Sequence, residues 1–138
     1  MKGWLLDTSA MARWTRPEVA RAVRGALSTR RVWTCPILDL EALFSARSPR
    51  DYRDLTAERA GSMRMADLTP EVAQRALDLQ TRLAERSQHR GAGPADLLIA
   101  ATAVEHDLVV LHYDRDFELL GDVCGVPHHP VVPLGSID

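Results

Sequence analysis

The stretch Trp4-Leu5-Leu6-Asp7-Thr8-Ser9 decides the fold of this chain. Three apolar residues make a short buried strand, and an acid closes it where Thr8 and Ser9 begin a helix. A second stretch repeats the plan: Val109-Val110-Leu111-His112-Tyr113-Asp114-Arg115-Asp116 runs from an apolar strand into two acids. The residues between them alternate helix and strand. A plausible capping box at Thr15-Arg16-Pro17-Glu18 precedes Val19, Val23, Ala26 and Leu27 on one helical face. Arg31 to Cys35 is a short β-prone strand. Pro36 opens a helix through about Arg47, and Ser48-Pro49 opens another to about Met63.

The alternation continues to the end of the chain. A short strand near 65–68 leads to a helix start at Thr69-Pro70-Glu71, with Val72, Ala76, Leu79 and Leu83 in helical period. The loop Gly91-Ala92-Gly93-Pro94 precedes a strongly apolar helix to His106, and Arg115 to Leu120 makes a helical turn. Val131 to Leu134 is expected as the last strand. Strands alternating with helices predict an α/β fold: a three-layer α/β/α sandwich around a central, mainly parallel sheet. At 138 residues the chain fits a single domain over 1–138, large enough to bury roughly 70% of its unfolded surface.

Composition excludes several classes. No apolar run approaches the roughly 20 residues needed to cross a bilayer, so no membrane role is expected, and no signal peptide is visible. Cys35 and Cys124 lack metal or redox spacing and fit free thiols in a reducing cytoplasm. A net charge of −2 argues against a nonspecific polyanion binder. The basic residues are nevertheless all Arg except Lys2, and Arg suits bidentate phosphate contacts.

Four acids carry the chemistry. In parallel sheets the functional crevice lies beyond the carboxyl ends of the strands, where Asp7 and Asp114 fall. In Pro36-Ile37-Leu38-Asp39-Leu40-Glu41-Ala42-Leu43-Phe44, a step of about 100° per residue puts Glu41 on the apolar arc and Asp39 opposite. Glu41 is therefore the candidate. Asp96 stands in the first turn of Pro94-Ala95-Asp96-Leu97-Leu98-Ile99-Ala100-Ala101, a helix expected to be central and buried. Asp114 leads its D-x-D pair, with Asp116 as an auxiliary acid. Grouped carboxylates repel one another, and a divalent cation is the usual remedy, which points to a metal site and phosphodiester chemistry. Arg13, Arg47 and Arg90 lie near the predicted edges and are candidate phosphate contacts. His128-His129 falls in a Pro-flanked terminal loop, where a surface position is expected. Met11, Trp14 and Phe44 are expected to pack in the core.

Leu6-Asp7-Thr8-Ser9-Ala10, Pro36 to Glu41, Pro94 to Ala103 and Asp114-Arg115-Asp116-Phe117, in that order and at this length, resemble a PIN-domain protein. More specifically, they resemble a toxin of the VapC family. The resemblance implies an endoribonuclease that hydrolyses RNA phosphodiester bonds by metal-activated water, with Mg²⁺ or Mn²⁺ as cofactor. It also implies the toxic half of a bacterial type II toxin–antitoxin pair, working as a homodimer and neutralised by a VapB-like antitoxin. The family's acidic site falls on Asp7, Glu41, Asp96 and Asp114, with Asp116 often included. His112 departs from the family, which often has Thr or Ser two residues before the acid. Two other classes compete. An aspartyl phosphotransferase needs a second acid at position 9, which is Ser9, and a Lys after a later strand. A noncatalytic RNA- or protein-binding module would have lost acids, and all four are present.

Overall fold

A computed structural model describes residues 1–138. Five strands form one sheet: β1 (Gly3–Leu6), β2 (Val32–Thr34), β3 (Arg64–Met65), β4 (Leu108–His112) and β5 (His128–Pro130). The spatial order is β3-β2-β1-β4-β5, and every pairing is parallel. Seven helices connect them: α1 (Thr8–Met11), α2 (Pro17–Ser28), α3 (Pro36–Phe44), α4 (Pro49–Ser62), α5 (Pro70–Ala84), α6 (Pro94–His106) and α7 (Arg115–Cys124). This is the expected α/β/α sandwich with a fully parallel sheet.

Strand alternation divides the core between the two faces of the sheet. Leu5, Leu108 and Val110 face one way, into a cluster with Leu38, Val72, Leu83, Ile99 and Phe117 from α3, α5, α6 and α7. Leu6, Val32 and Leu111 face the other way, against Ala10 of α1 and Val19 and Val23 of α2. Helix α6 is apolar nearly all round because its Ala100, Ala101 and Ala103 let it lie close to the sheet, and each is fully buried. Gly3 is required by crowding: a Cβ there would collide with the Arg31 carbonyl oxygen where β1 passes the start of β2.

The chain builds outward in both directions from β1. Strands β2 and β3 are added on one side, then the α5–α6 crossover returns the chain to place β4 on the other. The order therefore reverses between β1 and β4, the position at which open parallel sheets hold their ligands. Register fixes the two strand ends side by side: Leu6 pairs with Leu111, and the Asp7 N–H donates to the Leu111 carbonyl at 2.9 Å.

Several local expectations are corrected. No capping box forms before α2, where Arg16 is the N-cap without a side-chain bond and Pro17 takes the first helical position. Helix α3 ends at Phe44 rather than near Arg47, because Ser48 and Pro49 already start α4. The β3 strand covers only Arg64–Met65, and the turn after β4 extends into a full helix to Cys124. The last strand is His128–Pro130, not Val131–Leu134: Gly125, at φ 71°, ends α7 and reverses the chain earlier than the Val-Val pair suggests. Met11 and Trp14 pack against the smaller core, whereas Phe44 is 91% exposed. Both cysteines are free thiols.

Candidate metal centre

Asp7 leaves the end of β1 almost fully buried, at 3% exposure. It caps α1 itself, one carboxylate oxygen accepting the Ser9 N–H at 2.9 Å. The Ser9 hydroxyl is engaged elsewhere, accepting the Tyr113 N–H at 2.9 Å and so joining the β1 and β4 loops. Burial raises the Asp7 carboxyl above its usual range, and the nearby Asp114 charge adds to that.

Asp114 caps α7, accepting the Asp116 N–H at 2.9 Å, and Asp116 follows in the first turn. Asp96 enters from the first turn of α6, behind Gly93 and Pro94. Carboxylate oxygens of Asp96, Asp114 and Asp116 lie within 4.8 Å of one another. Asp116 is thus a member of the tightest group rather than an outlying auxiliary acid. The crowding is expressed at Asp96, whose pKa is pushed up to about 8. Desolvation is the largest cause, followed by Asp116 and then by the charges of Asp114 and Asp7. The helix N-terminus works the other way, but a dipole worth under about 1 kcal/mol at an exposed end does not offset three neighbouring acids.

Contrary to what its helical angle suggests, Glu41 does not lie on a buried face of α3. Glu41 is exposed, because the arc holding Leu40 and Phe44 faces solvent and only Leu38 of α3 is fully buried. The structure still brings Glu41 to the cluster's rim, where desolvation raises its carboxyl and the charge of Asp7 raises it further. Asp39 has a different task. Its carboxylate accepts from Arg59 Nε at 2.9 Å and from the Thr34 hydroxyl at 2.7 Å, tying α3 to α4 and β2.

The arginines separate. Arg13 is brought to the site, sharing a cleft with Ser9, Tyr113 and Asp114. Arg47, between α3 and α4, and Arg90, in the loop before α6, are exposed, and their guanidinium groups make no hydrogen bond within the chain. The requirements of an aspartyl phosphotransferase are unmet: position 9 is a hydroxyl already bonded to backbone, and Lys2 lies over the Trp33 ring, 5.1 Å from its centroid.

One group near the site was not legible as such. His112 is fully buried and packs 5.1 Å from the Phe117 ring. Its Nδ1 accepts the Asp114 N–H at 3.0 Å, and its Nε2 lies 2.9 Å from His128 Nδ1. His128 is therefore an inward partner on β5, not a surface residue of a terminal loop. The alternation of His112 with the apolar residues of β4 was the available signal.

The donor set fits a hard divalent cation. Every candidate ligand is a carboxylate oxygen, with no thiol or imidazole among them, which suits a hard, oxygen-binding divalent ion rather than softer metals. Burial raises the Asp7 and Asp96 carboxyls first, and the neighbouring acids add to it.

A match to the PIN domain covers residues 4–123. The chain is 44% identical over 135 residues to Ribonuclease VapC51 of Mycobacterium tuberculosis (strain H37Rv), covering 98% of this chain and 97% of that protein. It is 37% identical over 134 residues to Ribonuclease VapC18 of the same strain, covering 96% and 97%. Among solved structures, the DNA-bound VapBC from Salmonella typhimurium superposes with a TM-score of 0.74 at 22% identity, covering 96% of this chain and all of that one. A toxin–antitoxin complex from Klebsiella pneumoniae gives 0.72 at 17% identity, covering 94% and 98%. These two likenesses concern the fold.

Proposed function

This chain belongs to the PIN-domain family, within its VapC ribonuclease branch, and from that premise we propose that it is a divalent-metal-dependent endoribonuclease. The observation that carries the reading is the set of acids gathered where the sheet order reverses, with Asp96 pushed up to about 8 by its neighbours. Asp7, Asp96, Asp114 and Asp116 would hold the cation, with Mg²⁺ as the natural ion and Mn²⁺ as a substitute. A cation bound there would offset the charge of the acids and of the phosphate, and would supply the activation of water for attack on phosphorus.

The protein's residues supply the remainder. Asp7 and Asp114 each have one carboxylate oxygen held by a backbone N–H, which fixes both side chains at little further cost in ordering. Glu41, open to solvent and raised by burial and Asp7, takes up the proton that the attacking water loses. The bond from phosphorus to the 3′ oxygen breaks as the new P–O bond forms, and that oxygen collects a proton from solvent. Products are a 5′-phosphate and a 3′-hydroxyl. Arg13, Arg47 and Arg90 are proposed to meet flanking RNA phosphates.

The biological assignment follows from the relatives. We infer that the chain is the toxin of a bacterial type II toxin–antitoxin pair, that it forms a homodimer, and that a VapB-like antitoxin neutralises it in the cytoplasm. A brief pulse of expression followed by mapping of RNA ends tests this. New 5′-phosphate ends should appear with the wild type and be missing with Asp7→Asn. A growth arrest without new RNA ends would exclude RNA cleavage as the toxic act.

A further inference from the structure

The last residues of the chain lie against the same cleft, held by a built anchor. Tyr113 is buried, and its hydroxyl donates to the Ile137 carbonyl at 2.8 Å while accepting the N–H groups of Gly135 at 2.9 Å and Ile137 at 3.2 Å. Leu134 and Ile137 pack on the smaller core. This anchor carries Asp138 onto two arginines. Arg16 Nη2 meets the Asp138 carboxylate at 2.8 Å, and Arg13 Nε donates to its main-chain oxygen at 3.1 Å. Arg13 is fixed from two further sides: Nη1 donates to the Ser9 carbonyl at 2.9 Å, and the guanidinium lies 4.6 Å from the Tyr113 ring centroid.

Ser9, Arg13, Tyr113, Asp114, Gly135 and Asp138 line one cleft of about 510 Å³. Arg13 therefore stands beside an acid of the cluster, and Arg16 is joined to it through Asp138, in a chain whose net charge is −2. A site built from carboxylates repels a polyanion, so local cations that accept phosphate are what such a cleft needs. The present occupant of the pair is weakly held. The Asp138 side chain is fully exposed, and exposed ion pairs of this kind contribute little to stability.

We propose that Arg13 and Arg16 form a subsite for an RNA backbone phosphate flanking the scissile one, and that Asp138 fills it as a carboxylate stand-in until RNA displaces it. The proposal rests on the ribonuclease reading and adds a self-competing contact to it. Arg13 keeps its position in both states through Ser9 and Tyr113, while Arg16 exchanges one anion for another.

A double-mutant cycle on the full chain tests this. Binding of a labelled single-stranded RNA is measured by fluorescence anisotropy in an Asp7→Asn background, and wild-type cleavage of the same RNA is followed in parallel. Asp138→Asn should tighten binding three- to ten-fold, and Arg16→Gln should weaken it by a similar factor. The double variant should match Arg16→Gln alone, because nothing remains for Asp138 to block. Arg16→Gln should also reduce the slope of log affinity against log salt by about 0.7, the share of one phosphate contact on a single strand. Unchanged binding in Asp138→Asn, or the same tightening with and without Arg16, overturns the subsite. If the wild type cleaves RNA while the cycle is flat, only the subsite falls. A wild type that neither binds nor cleaves RNA rejects both readings.

Discussion

The Nδ1 atom of His112 accepts the backbone N–H of Asp114 at 3.0 Å, tying the last residue of β4 to the loop that presents an acid of the cluster. An imidazole that accepts at Nδ1 carries its proton on Nε2, which then donates to His128 Nδ1 at 2.9 Å. Burial first, and then the like charges of His128 and His129, hold the His112 pKa down to about 4. The ring is thus neutral at pH 7, as this arrangement requires.

His112→Ala should cost about 2–4 kcal/mol in urea unfolding, from the cavity against Phe117 and the lost acceptor for the Asp114 N–H. Cleavage should fall with it. His112→Asn, whose amide oxygen takes the place of Nδ1, should retain more of both. The native His112 also sets an acid limit. Between pH 6.5 and about 4 the unfolded chain gains a proton that the folded ring refuses, so stability falls as pH drops through that window. Acid titration of the melting temperature should show this limit in the wild type and a weaker one in His112→Asn.

The acids oppose folding and serve function. Asp96→Asn should abolish cleavage while leaving the circular dichroism spectrum intact, and should raise the melting temperature of the metal-free protein near pH 8, where the native carboxylate is charged among like neighbours. A variant that melted lower and unfolded early would assign Asp96 to structure instead.

Cation binding should be linked to protons. The Asp96 carboxyl is raised in the folded state to about 8 from an ordinary value near 4, so its contribution to stability is present below the unfolded value and fades as pH rises toward 8. Asp7 and Glu41 are raised in the same direction. Above pH 6.5 the folded His112 stays neutral while the unfolded one sheds its remaining proton, which adds under about 0.5 kcal/mol and does not offset the loss at Asp96. Metal-free protein should therefore lose melting temperature from pH 6.5 to 8, and Mg²⁺ or Mn²⁺ should restore it, more strongly at pH 8 than at 6.5. Calorimetry in buffers of different ionisation enthalpy should detect proton release on metal binding.

Neighbouring acids on α3 should divide between structure and function. Asp39→Ala leaves Arg59 half-buried without its carboxylate and Thr34 without its acceptor, and should cost about 1–3 kcal/mol with cleavage largely retained at low temperature. Glu41→Gln, at an exposed site, should change stability by less than about 0.5 kcal/mol and cut cleavage by at least ten-fold. Denaturant midpoints and initial rates separate the two.

That division shows where the sequence was informative. The parallel sheet followed from strand ends such as Leu6-Asp7 and Leu111 through Asp114, because period and chain alternation are local properties. Asp7, Asp96 and Asp114 were legible as acids at strand or helix ends. The burial of α3 was not, since the apolar Leu40 and Phe44 are left exposed and a periodicity argument assumes that apolar faces point inward. The true last strand, with its two histidines, was hidden for a related reason: His128 is satisfied by His112, 16 positions away, and Val131 gives only its N–H to the His112 carbonyl, at 2.7 Å, as the chain leaves the sheet. The anchoring of the chain's end on Tyr113 is equally nonlocal.

The most direct test of the metal-dependent ribonuclease assignment uses purified protein, a single-stranded RNA and analysis of the product ends. Cleavage should stop in EDTA, return with Mg²⁺ or Mn²⁺, and leave a 5′-phosphate and a 3′-hydroxyl, with Asp96→Asn inactive throughout. Full cleavage in EDTA, or a 2′,3′-cyclic phosphate product, would contradict it.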